Sequence, residues 1–147
     1  MRFNIALLLF ALVVAGSSPH AQSGIKETVK LNLLGSRLIE ITDPEVLALS
    51  NVFSGTFITS TAEAPDAAWP RVAVVFDVQF PGRIKTGAYV VHFCMDPATG
   101  DGFIYLPGLG ENSYRSNIGT IIRDEQDGRW HRASSEWTSA ISAHLIR

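Results

Sequence analysis

Residues 88–107 read AYVVHFCMDPATGDGFIYLP, two apolar runs rich in β-branched and aromatic side chains around a Pro-Ala-Thr-Gly-Asp-Gly segment. A proline and two glycines between such runs dictate a strand, a tight connection and a returning strand. Strand alternation then assigns the faces. Tyr89, Val91, Phe93 and Met95 share one side, and Val90, His92, Cys94 and Asp96 the other; on the return, Phe103 and Tyr105 oppose Ile104 and Leu106. The rest of the chain has to pair with this hairpin or cover it.

The flanking segments supply partners. Arg71–Phe80 (RVAVVFDVQF) alternates, with Val72, Val74, Phe76, Val78 and Phe80 on one face, and Val29, Leu31 and Leu33 alternate with Lys30 and Asn32. Both patterns suit half-buried strands. RLIEIT (37–42) and the β-prone run 56–61 extend the list, while 62–70 (AEAPDAAWP), with its two prolines, reads as a loop. Asp43-Pro44-Glu45 marks a helix start running to about residue 51: an aspartate cap, a proline at the first helical position and an acid at the positive end of the dipole. Residues 114–123 and 129–133 suggest a second hairpin across the polar connection 124–128. Ser134 or Ser135 then caps a final helix near 135–146, with Trp137, Ile141 and Leu145 as its apolar stripe.

The expected fold is therefore α+β: a mainly antiparallel, meander-like sheet with a short helix near 43–51 and a C-terminal helix near 135–146. An all-β sandwich with peripheral helices is the alternative. No strand–helix–strand alternation points to a parallel sheet, and no internal repeat or second domain is visible.

At the N-terminus, Arg2 precedes the apolar run Ile5–Val14, followed by small and polar residues to about Ala21. That is the layout of a cleavable secretory signal, and the run is too short to span a bilayer. Residues 22–147 then form one domain, exported to the periplasm or secreted, with no transmembrane anchor. The formal net charge is −2, and one unit more negative without Arg2, so no electrostatic footprint for nucleic acid is present. A single cysteine, Cys94, cannot close an intrachain disulfide, which leaves packing and hydrogen bonds to hold the fold.

Candidate chemistry is sparse. His92 and Cys94 share a strand face, and with His131 they are the metal-ligating candidates, since imidazole and thiolate suit zinc or copper. No C-x-x-C or H-E-x-x-H spacing accompanies them. His131 beside Ser134, Ser135 or Cys94 offers a hydrolase reading, without a G-x-S-x-G elbow. PGLGEN (107–112) lacks a nucleotide-binding glycine pattern and reads as a turn. Arg115, Arg123, Arg129 and Arg132 concentrate positive charge in the last third, among Asp124, Glu125 and Asp127. Trp69, in a loop, and Tyr114 with Arg115, after the glycine loop, are the ligand-binding candidates, because exposed aromatics in an exported protein suit sugars or peptides.

The reading that accommodates most of these features is a non-enzymatic binding or accessory domain of the bacterial cell envelope. Its partner is an envelope protein or glycan, and no motif calls for a cofactor. Two alternatives stand beside it: a small metal-binding or thiol redox-sensing protein using His92 and Cys94, and a hydrolase built around His131.

Overall fold

The computed structural model describes residues 27–80, 86–115, 117 and 125–146. The proposed leader, Arg123, and most of the run expected as a strand before residue 124 lie outside these residues. Seven strands form one antiparallel sheet: β1 (Glu27–Leu34), β2 (Leu38–Ile41), β3 (Ile58–Ala62), β4 (Arg71–Gln79), β5 (Thr86–Met95), β6 (Gly102–Leu106) and β7 (Arg129–Ala133). Two helices accompany it, α1 (Pro44–Leu49) and α2 (Ser135–Leu145). The fold is thus α+β, a single open sheet rather than a sandwich.

The spatial order β2-β1-β4-β5-β6-β7-β3 contains the expected meander from β4 to β7. It also puts β2 and β3, neighbours in sequence, at opposite edges. Residues 42–57 consequently cross the full width of the sheet, carrying α1 and the buried side chains of Val46, Val52 and Phe57 over one face. The local chemistry is as the sequence implies: Asp43 Oδ1 accepts from Glu45 N at 2.9 Å, and Pro44 opens the helix.

In the central hairpin, Asp96 Oδ1 accepts from Ala98 N (2.7 Å), and Gly100 takes a positive φ of 79° while its N–H reaches Asp96 O. A carboxylate turn followed by a left-handed residue is what makes glycine necessary there.

The inner face carries Leu31, Leu33, Val74, Phe76, Val78, Val91, Phe93, Ile104 and Leu106, nearly all fully buried. Helix α2 lies against it because Trp137 and Ile141 fall on one stripe, both wholly buried. The Trp137 indole stacks on Phe57 (5.2 Å between centroids), runs nearly parallel to Phe76 (6.4 Å) and meets Phe93 edge-on (5.4 Å). Its Nε1–H donates to Ser50 Oγ at 2.9 Å, Ser50 Oγ donates to Val46 O, and Thr28 Oγ1 donates to Ser50 O at 2.6 Å. One buried serine therefore ties α2, the end of α1 and β1 together. Gly102 is required beneath α2, where a Cβ would collide with Thr138 and approach Phe93 Cε2 to 3.0 Å.

Two departures from simple alternation have local causes. A bulge between Thr28 and Lys30 breaks the β1–β4 register. It turns Thr28 inward to meet Ser50 and leaves Val29 36 % exposed, where strict alternation would have buried it. Strand β5 pairs with β6 only over His92–Met95. At Val90 the Asn117 side chain takes over, accepting from Val90 N (2.9 Å) and donating to Val90 O (2.6 Å).

Ser50→Ala leaves the Trp137 N–H buried without its acceptor, and a loss of about 1–3 kcal/mol in urea denaturation is expected. Gly102→Ala should cost about 1–3 kcal/mol by overpacking, and the double variant with Thr138→Ala should recover part of that. Additive losses in that double-mutant cycle would show that α2 does not press on Gly102.

Candidate functional site

The outer face of the sheet divides in two. Over β2, β1 and β4 it is ionic: Lys30 Nζ lies 3.3 Å from Glu40 and 3.4 Å from Asp77, and Asn32 donates to Asp77. These are solvent-facing contacts of small energetic value. Over β5, β6 and β7 the same face is aromatic. Register aligns His92 with Tyr105 and Trp130 in one row, and Cys94 with Phe103 and Arg132 in the next, with Arg71 opposite Cys94 on β4.

The rings form a row of three and a neighbouring pair. Trp130 lies 5.3 Å from Tyr105, which lies 6.2 Å from His92, and Trp69 lies 5.9 Å from Phe103. Trp69 reaches the sheet from the β3–β4 loop through a turn set by Asp66, whose Oδ1 accepts from Ala68 N and whose carbonyl accepts from Trp69 N. That loop, Phe103 and Arg132 border an open groove of about 540 Å³. His92, Tyr105, Trp130 and Trp69 are half-buried, each presenting part of its ring to solvent.

Two guanidiniums lie on these rings. Arg71 Cζ sits 4.8 Å from the Trp130 ring centre, and Arg132 Cζ 5.3 Å from that of Phe103. Arg132 also pairs with Asp101 at 3.5 Å. Arg71 has no carboxylate partner among the described residues.

At the far end of the face, the 107–112 loop folds back so that Glu111 accepts from the Tyr105 hydroxyl (3.1 Å) and from Gly108 N. Burial, then the bond to Glu111 and its charge, push the Tyr105 hydroxyl above its ordinary pKa, so it remains a donor. Tyr114 and Arg115 follow on this connection, Tyr114 half-buried and Arg115 exposed. Of the three ligand-binding candidates, Trp69 is on the aromatic face, and the other two lie on the segment beyond Glu111.

His131 is not brought to His92 and Cys94. It pairs in register with Ile104, so it points to the inner face, 2 % exposed, with its Nε2 3.1 Å from Gln126 O. An odd-numbered offset between the strands decides this: His92 aligns with Tyr105 and Trp130, and the next residue along β7 faces the other way. Among the described residues, no three His, Cys, Asp or Glu side chains converge. The serines near His131 serve α2: Ser134 Oγ accepts from Trp137 N as the cap, and Ser135 Oγ donates to Glu136. Cys94 is 2 % exposed beneath this face, and burial raises its pKa while the Arg71 charge partly opposes the rise.

The residues the sequence did not single out are Arg71, Phe103, Tyr105, Trp130 and Arg132 as one group. Alternation on each strand was readable, but their convergence depends on inter-strand register. Comparison with protein families, curated proteins and solved structures gives no match. Among the described residues, no helix is long and apolar enough to cross a membrane.

Cys94 should react with a thiol reagent more slowly in the native protein than in denaturant, because both access and thiolate fraction are reduced. In Arg71→Gln the opposing charge is lost, so the pH of half-maximal labelling should move further up. Unchanged labelling between native and unfolded protein would contradict the buried placement.

Proposed function

We propose that the chain is an exported, non-enzymatic binding domain of the bacterial cell envelope that takes a glycan on the aromatic half of its outer sheet face. The observation that carries this reading is the pair of ring contacts, Trp69–Phe103 and Tyr105–Trp130, on the solvent side of a sheet whose other half is ionic. Ordinary solvated strands place charges there, as β1 and β2 do. The half-buried rings of Trp69, Tyr105 and Trp130, grouped around the buried Phe103, instead mark a recognition surface.

A sugar ring has an apolar C–H side that packs on a flat aromatic, with hydroxyls left to find donors and acceptors at its edge. Rings fixed on a sheet lose little freedom on binding. The groove beside Trp69 supplies depth, and Tyr105, His92 and the arginines supply polar edges. Binding fits better than catalysis because the Cys94 thiol is sealed under the face and Ser134 is committed to capping. Export rests on the charged, apolar and small-residue layout of residues 1–21.

Trp137 is fully buried, so a ligand on the outer face acts on the fluorescence of Trp69 and Trp130. Titration with soluble fragments of envelope polysaccharide should change that emission saturably. Trp130→Ala should weaken binding about thirtyfold, the loss typical of a central aromatic anchor. Unaltered affinity in both Trp130→Ala and Trp69→Ala, each shown to be folded, would place the ligand elsewhere.

A further inference from the structure

The two arginines on the aromatic face raise a question the rings alone do not: what they are held for. Arg71 starts on β4 and reaches the Trp130 ring on β7, so its side chain lies across the strands between while remaining exposed to solvent. Arg132 lies over Phe103 in the same way. A ring beneath a guanidinium fixes its plane and attracts it without neutralising it. The N–H edge stays free, and at Arg71 no carboxylate among the described residues occupies it. A fixed, unneutralised fork of donors is the receptor a planar anion needs, because two parallel N–H···O bonds form without ordering a mobile side chain.

Resting on the glycan reading above, we propose that the face selects an acidic glycan, with a sugar carboxylate received by the Arg71 fork and its ring packed on the neighbouring aromatics. His92, in the row beside Cys94, has its ring against Tyr105 and no hydrogen-bond partner among the described residues. It stands ready as a second polar contact. A carboxylate fits this surroundings better than a phosphate. Asp101 and Glu111 border the face at Arg132 and Tyr105, and they repel a dianion more than a monoanion. Among the described residues the one lysine, Lys30, is engaged by Glu40 and Asp77 on the ionic half of the face. Nucleic acid is disfavoured by the same two acids and by the negative net charge.

The test uses the signal-free chain and two hexasaccharides that differ only at C6, galacturonate and galactose, with affinity read by tryptophan fluorescence. The acidic sugar is expected to bind about ten- to a hundredfold more tightly, the range of a charge-assisted hydrogen-bond pair. The preference should shrink as salt is raised. Arg71→Gln, verified as folded by circular dichroism and melting temperature, should bring the two affinities together. Arg71→Lys keeps the charge but not the fork and should remain several-fold weaker than the parent.

Equal affinity of the parent for both sugars would overturn this inference and leave the glycan reading standing. Binding of neither sugar would overturn both. Full affinity in Arg71→Lys would remove the fork from the explanation. Displacement of the acidic sugar by inorganic phosphate at equal concentration, or tighter binding of a single-stranded oligonucleotide, would each overturn the assignment to a sugar carboxylate.

Discussion

The fold depends on the Trp137 indole, which does two jobs at one point. Its faces and edge fill the space between Phe57, Phe76 and Phe93, and its one polar atom is satisfied by Ser50. An open sheet with no second sheet to pack against has to bury its inner face under something else. Here the cover is α2 together with the long passage of residues 42–57 from one edge to the other. Neither piece is large. What fixes them relative to each other is that the passage contributes Phe57 and Ser50 to the same residue of α2. With Thr28 also bonded to Ser50, the node reaches β1 as well, and a helix at the chain's end, a crossing and an early strand are held by one set of contacts.

Much of this was legible in the sequence. Alternation located β4, β5, β6 and their faces, since each is long enough for a period of two to be unmistakable. Asp43-Pro44-Glu45 and the Ser134-Ser135 pair identified both helix starts, because capping chemistry is local, and the structure makes Ser134 the cap. Pairing order was not legible. Nothing in Ile58–Ala62 says that it will lie beside β7 rather than β4, since that choice is made by where residues 42–57 must go to cover the core. Val29 was misplaced for a related reason: a bulge that turns Thr28 inward is justified only by Ser50, 22 residues away.

The site shows the same division. Trp69 stood out because a tryptophan between prolines in a loop has few reasons to be buried. The histidine grouping failed because its members were assigned to strands without a register, and a one-residue offset carries His131 through the sheet to the core side. Phe103 and Tyr105 were readable as sharing one face of a strand and Trp130 as lying on another strand, yet no sequence pattern joins them. Only the alignment of β5, β6 and β7 sets them side by side, with Arg71 and Arg132 leaning in from the flanks. The contrast with Lys30, Glu40 and Asp77 on the same surface is what gives the aromatic half its meaning.

The Asn117 amide has a consequence for the order in which contacts can form. Its oxygen and its NH2 take both backbone groups of Val90 as a peptide unit would, and the residue is itself only 3 % exposed. The two residues are 27 apart in the chain, so the pair forms only by closing a long loop, and that closure has to be offset before the two bonds contribute. This point on β5 is satisfied by a distant side chain, and its completion belongs with the late, non-local steps of assembly.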